Sequence, residues 1–225
     1  MASRLAAYRY QTLFTKEPEM AQWISGFDPG GVFVDVGANV GGYTVWAAMH
    51  RDMRVFAFEP EAQNFAVLNK NLQLNDLGGR VRAFPAALSD GFRLSVLNLG
   101  DTRIGGSRNS FGDAVDENLE SRPALFEQGS ISVSLDGVVA DGVLPVPNHI
   151  KIDVDGFEHK VIDGATTVLG HADVTSVMVE LNMALAPHRE IMETMRALGF
   201  TLPPQKSQRL QEKNAGNCLF RRPGT

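Results

Sequence analysis

Five short stretches of the chain are apolar at nearly every position: Val32 to Val36, Arg54 to Glu59, Val81 to Leu88, His149 to Val154 and Thr175 to Leu181. A strand with one wet face alternates apolar and polar residues, so these unbroken runs predict strands covered on both faces. Helices are predicted between several of them, over Gly42 to Met49, Glu61 to Asn71, Glu158 to Leu169 and Pro187 to Leu198, with Gly199 placed to end the last. Strand and helix in alternation imply parallel pairing with right-handed crossovers, a doubly wound α/β domain.

Two regions depart from this rhythm. Phe92 to Leu97 and Ser130 to Leu135 read as extra strands around a polar insertion, residues 98–129, which holds Gly105, Gly106, Ser107, Asn109, Ser110 and Gly112. A loop that long in a compact domain is usually functional or disordered. Ahead of the first strand, the spacing of Leu5, Leu13, Met20, Trp23 and Ile24 predicts a helical cap, residues 1–28, on a single domain running 29–225.

Composition narrows the class. At 44% hydrophobic and 21% charged residues the chain is that of an ordinary globular protein. Acidic side chains outnumber basic ones by 26 to 21, for a net charge of −5, and no segment concentrates Lys and Arg, so nucleic acid is not an expected partner. Cys218 is the sole cysteine; no internal disulfide forms, and a lone thiol suits a reducing compartment, the cytoplasm by default. Met1 to Phe14 lacks the apolar core and cleavage signature of a secretory signal, and no run of about 18 apolar residues predicts a membrane span.

The first strand runs into a glycine-rich turn, Asp35-Val36-Gly37-Ala38-Asn39-Val40-Gly41-Gly42, ahead of a helix. Such a turn brings backbone close to a nucleotide-type ligand. In the dinucleotide fingerprint the second glycine leaves room for a pyrophosphate, and here that position is Asn39. Asp35 beside the turn would repel a diphosphate but attract an ammonium group, which S-adenosylmethionine carries along with a sulfonium. Glu59, at the end of the next strand, is positioned to accept two hydrogen bonds from a ribose diol.

Three ordered motifs, Asp35-Val-Gly-Ala-Asn-Val-Gly-Gly-Tyr-Thr44, Phe58-Glu59-Pro60 and Ile150-Lys-Ile-Asp-Val-Asp-Gly-Phe-Glu158, together resemble the FkbM family of methyltransferases over about Gly31 to Phe200. The resemblance implies the class I methyltransferase fold, Rossmann-like, with a mostly parallel seven-stranded sheet whose last strand is antiparallel; Asn217 to Arg222 is the candidate for that strand. Taken with the reading of the residues, it gives a cofactor site of Asp35, Gly37, Asn39, Gly41, Thr44, Glu59, Pro60, Ala87 and Asp153, in which the resemblance implies Gly37 and Asn39 on the methionine part and Ala87 near the adenine. Members resemble enzymes that O-methylate sugars and polyketides, so a small-molecule acceptor is expected. Many carry a histidine shortly after the fifth-strand glutamate, where this chain has Glu180-Leu181-Asn182.

A hydroxyl is a weak nucleophile at neutral pH and needs a base or a metal. The catalytic candidates are Asp153, Lys151, Asp155 and Glu158: alternation puts Lys151 and Asp153 on one face of their strand, with Asp153 at its carboxyl end, where open α/β sheets bind ligands. Lys151 can neutralise Asp153, while Asp155 and Glu158 flank Gly156 where a helix begins. The same residues also fit structural roles, a strand ion pair for Lys151 and helix-start acids for Asp155 and Glu158. No metal residue is assigned, though Asp153, Glu180 and Asn182 offer the hard oxygens a divalent ion such as Mg²⁺ would take. His188 is a further base candidate, with a surface position the commoner role, and Arg103 and Arg108 in the insertion are candidates for an anionic group. The insertion and the cap are the expected acceptor-selecting parts, and trimming the insertion is expected to leave cofactor affinity intact. Methyl transfer to nitrogen on an amine or protein, a nicotinamide-dependent oxidoreductase and a scaffold without catalysis stand as alternatives.

Overall fold

The computed structural model describes residues 3–203 and 214–224. Two helices, α1 (Arg4–Gln11) and α2 (Pro18–Ser25), precede the first strand, β1 (Val32–Val36). Then come α3 (Gly42–His50), β2 (Arg54–Phe58), α4 (Ala62–Leu74) and β3 (Val81–Phe84). A second group follows: β4 (Ala87–Leu88), β5 (Arg93–Leu99), β6 (Ser110–Phe111), β7 (Phe126–Val133) and α5 (Leu135–Ala140). The chain returns through β8 (His149–Ile152), α6 (Glu158–Asp163), α7 (Thr166–Gly170), β9 (Ser176–Asn182), α8 (Ala186–Ala197) and β10 (Ala215–Arg221).

The main sheet has six strands in the order β10-β9-β8-β1-β2-β3, all parallel except β10, which runs antiparallel to β9. Both faces are covered, as the unbroken apolar runs predict. Val32, Val34, Ile150, Ile152, Val177 and Val179 enter one core with α6 to α8, and Phe33, Val55, Ala57 and Met178 enter the other with α2, α3 and α4. The helical cap is part of that second core: Met20, Trp23, Ile24 and Phe27 are fully buried, and the Trp23 indole N–H donates to Ser176 Oγ at 2.8 Å.

Where a seven-stranded sheet is expected, the described residues give six strands plus a separate sheet of four, β4-β7-β5-β6. Among the described residues a single antiparallel bridge joins Thr201 to Arg221 of β10. Pro85 breaks the predicted strand Val81 to Leu88: proline cannot donate to a ladder, and the chain leaves β3 to pair β4 with β7 in the second sheet. The predicted helix Glu158 to Leu169 divides at Gly164, where a Cβ would lie 2.0 Å from the Ser89 carbonyl oxygen, and the Asp136 carboxylate holds the start of α7 by accepting from Thr167 and Val168 N–H. Leu135, read as strand, instead opens α5 behind a Ser134 cap. Gly199 ends α8 with φ +86°.

Candidate active site

Glu59 and Asp153 each follow the last residue of a parallel strand, β2 and β8, so both emerge at the carboxyl edge of the sheet. A cleft opens there, bordered by Gly37, Asn39, Glu59, Pro60, Ala87 and Asp153, with Asn64, Leu88, Leu97, Phe111, Asp155 and Glu180 also on its walls. At the turn, Gly37 has φ +74°, and a Cβ there would meet the Asp153 carbonyl oxygen at 2.0 Å. Glycine at this point lets the ends of β1 and β8 approach. Asn39, also left-handed at φ 51°, donates its backbone N–H to Glu59 Oε2 at 2.8 Å, and Glu61 N–H reaches Glu59 Oε1 at 2.9 Å. Two fixed donors orient the carboxylate; burial nevertheless pushes its pKa up to about 7, against the pull of those bonds.

Asp35, Thr44 and Gly41 lie elsewhere than expected. Asp35 is fully buried beneath the turn, where Thr44 Oγ1 donates to it at 2.6 Å and Lys151 Nζ lies 3.2 Å away. Its charge is answered inside the sheet, and neither it nor Thr44 borders the cleft. Gly41 packs under α4, where a Cβ would meet Leu68 Cδ1 at 2.3 Å. None of the three, expected as ligand contacts, lines the cleft.

Lys151, 2% exposed, sits between Asp35 and Asp153, the second at 3.4 Å, and donates to the Val36 and Gly37 carbonyls. Burial alone would lower its pKa, but the two carboxylates outweigh that and raise it. Asp153 is the converse: burial works to raise its carboxyl, and Lys151 holds it below the usual range. Its charge, with burial second, raises neighbouring Glu180 to about 9, so the two carboxyls titrate as a pair. Burial, followed by the Asp153 charge, lifts Asp155 to about 7.

Glu158, a catalytic candidate in the sequence, does not line the cleft. Its side chain is buried and accepts from Val154 N–H (2.9 Å) and Gly156 N–H (3.1 Å), fixing the turn that carries Asp155 at φ 56°. His188 is buried, not surface: Nε2 lies 3.0 Å from the Gly156 carbonyl and 3.2 Å from Glu158 Oε2, and Nδ1 accepts from Asn182 N–H. It braces the same turn. Asn182, the amide considered beside Asp153 and Glu180 for a divalent ion, donates its amide N–H to Asn118 and accepts from Ala184 N–H.

The insertion is a wall of the cleft. Asn39 and Asn64 side chains both donate to the Gly106 carbonyl, Asn64 accepts from Gly105 N–H, and Asp155 accepts from Arg108 N–H. Trimming it would remove these contacts to Asn39, Asn64 and Asp155. Arg103 pairs with Asp101, and Arg108 with Glu117 at 3.4 Å. Arg9, Lys16 and Glu17 of the cap also border the cleft. No motif marks these three in sequence; only the docking of the cap on the sheet brings them there.

The order of parallel strands, the antiparallel edge and a cleft at their carboxyl ends define a class I methyltransferase-like fold. A family model described as "Methyltransferase FkbM domain" matches residues 35–202. The chain belongs to the FkbM methyltransferase family and is an enzyme that transfers methyl groups. It is 26% identical over 216 residues to the 31-O-demethyl-FK506 methyltransferase FkbM of Streptomyces tacrolimicus, covering 88% of this chain and 82% of that one. It is 30% identical over 166 residues to the hexuronic acid methyltransferase AglP of Haloferax volcanii, covering 69% of this chain and 58% of that one. Among solved structures it is similar in fold to a methyltransferase FkbM from Methylobacillus flagellatus, with TM-score 0.56 at 14% identity; the match covers 94% of this chain and 47% of that one. No helix among the described residues is long and apolar enough to cross a membrane.

Proposed function

We propose that this chain is an S-adenosylmethionine-dependent O-methyltransferase acting on a hydroxyl of a small molecule such as a sugar, glycoside or polyketide. The observation that carries the reading is the charge and shape of the cleft. Glu59 is held with both oxygens oriented, apolar Leu88, Leu97 and Phe111 lie on its walls, and Asp153, Asp155 and Glu180 are acids on the same cleft. That donor set fits an adenosyl group with a cationic tail and opposes a diphosphate, which weighs against a nicotinamide dinucleotide.

When bound, S-adenosylmethionine supplies a methyl group activated by its sulfonium charge. Glu59 is assigned to the ribose hydroxyls, Pro60, Ala87 and Leu88 to the adenine side, and the Gly37 to Asn39 turn to the methionine side. Lys151 keeps Asp153 ionised at the strand end, where its negative charge favours a cationic ligand. Asp155 is assigned as the base for the acceptor hydroxyl: it borders the cleft, and its pKa of about 7 matches neutral operation, whereas the Asp153 charge raises Glu180 further. Glu158 and His188 keep the Asp155 turn in place. The relatives are named as methyltransferases of 31-O-demethyl-FK506 and of hexuronic acid, which supports oxygen on a small acceptor over nitrogen on an amine or protein.

The test is transfer of labelled methyl from S-adenosylmethionine to a panel of sugars, uronic acids and polyketide alcohols, with and without a chelator. Labelled methyl ethers are expected. Label appearing only on amines or protein would refute the acceptor class. Replacing Asp155 by Asn is expected to lower kcat by about 10²-fold or more with cofactor affinity unchanged; an undiminished kcat would remove Asp155 from the role of base.

A further inference from the structure

The cofactor's amino acid end carries an ammonium group, and the sequence's own candidate for it, Asp35, is buried and answered by Lys151 and Thr44. Asp153 borders the cleft but already pairs with Lys151. A different carboxylate stands at the same place. Glu17 borders the cleft beside Gly37, Asn39 and Asp153, and also borders the adjoining hollow under α1 with Gly42 and Tyr43. It comes from the N-terminal helices, far from any glycine-rich motif.

Its conformation is set by neighbours, not by helix capping. Glu17 occupies the residue before α2 but makes no side-chain bond to that helix, whose first position is Pro18. Instead Oε2 accepts from the Tyr43 hydroxyl at 2.7 Å, and Tyr43 belongs to the first turn of α3, directly after the glycine-rich turn. Among the described residues the one ion-pair partner of Glu17 is its chain neighbour Lys16, at 3.4 Å with a side chain 59% exposed. An exposed pair of this kind is weak and readily exchanged. A ligand zwitterion can replace it charge for charge, with an ammonium on Glu17 and a carboxylate toward Lys16 and Arg9, which border the same cleft.

We propose that Glu17 is a cofactor-binding residue, the carboxylate that receives the ammonium group of the adenosyl cofactor's amino acid moiety, so that the cap is part of the cofactor site. The assignment rests on the S-adenosylmethionine reading above and adds to it a residue outside the family motifs. It also gives the Tyr43 hydroxyl a positioning role, since that group aims Glu17 at the turn.

Isothermal calorimetry on the full chain separates the possibilities, using S-adenosylhomocysteine and 5′-methylthioadenosine, which keeps the adenosine and sulfur but lacks the amino acid. Glu17→Gln is expected to weaken S-adenosylhomocysteine by about tenfold or more, the scale of a lost charge-assisted hydrogen bond, and to leave 5′-methylthioadenosine unchanged. Tyr43→Phe is expected to give a smaller loss of the same selective kind, while Glu59→Gln weakens both ligands. An equal loss for both ligands in Glu17→Gln, or no loss for either, would overturn the assignment. If neither ligand binds the unaltered protein, the cofactor reading itself fails and this assignment falls with it; if both bind, only the selectivity of Glu17→Gln decides.

Discussion

Burial holds the Glu59 carboxyl at about 7, so its charge changes within the range where the enzyme would be assayed. Only the ionised form accepts from both ribose hydroxyls. S-adenosylhomocysteine is therefore expected to bind more weakly at pH 6 than at pH 8, by about tenfold, the ratio set by one pH unit below the pKa. Calorimetry at the two pH values checks this, and a slope that survives Glu59→Gln would belong to another group. The sign for stability runs the other way. The folded protein holds this proton more tightly than the unfolded chain, so ionising Glu59 costs stability as pH rises from the ordinary glutamate value of 4.5 to about 7, and nothing further above it. Gly37 is the other decisive residue: at φ +74° with the Asp153 carbonyl 2.0 Å from a built Cβ, Gly37→Ala combines strain with a backbone clash. Urea denaturation is expected to show a loss of about 2–4 kcal/mol; a loss below about 1 kcal/mol would mean the two strand ends can separate freely.

At the scale of elements, the turn between β8 and α6 is held from behind. Glu158 satisfies two backbone N–H groups and faces His188, so Glu158→Ala leaves buried donors without an acceptor. The expected loss is about 2–4 kcal/mol by denaturant titration, and a neutral result would contradict that role. These elements were legible to different degrees. The buried strands stand out because an unbroken apolar run, too short for a helix and bounded by turn residues, is stable only when covered on both faces. Glu59 and Asp153 reach the cleft because each ends such a run. Pro85 and Gly164 also lay in plain view, yet their effect depends on a second sheet and on the Ser89 carbonyl, partners distant in sequence. The placement of Asp35 was harder to read. This residue shares strand parity with Phe33, which points into the core with α2 and α3, and pairs in register with Lys151. That parity directs it beneath the turn, but the register with β8 becomes visible only in the assembled sheet.

For the molecule as a whole, the division into cap, domain and insertion describes the order of the chain better than its physics. Trp23 is 3% exposed, packs edge-on to Phe27 and Phe33, and bonds Ser176 on β9. Trp23→Ala is expected to cost about 3–5 kcal/mol, measured by denaturant midpoint, and a neutral outcome would show the cap to be separable. The insertion likewise closes the cleft through Gly105 and Gly106, contacts that no local pattern in its Gly, Ser and Asn residues announces. The central claim is that this cleft holds an adenosyl compound with a cationic tail and not a dinucleotide. Calorimetric titration of the purified protein with S-adenosylhomocysteine and, separately, NADH tests it most directly. Saturable one-to-one binding of S-adenosylhomocysteine, strongly weakened in Glu59→Ala, with no heat from NADH, is the expected result. NADH binding that Glu59→Ala also weakens, or no binding of S-adenosylhomocysteine, would contradict it.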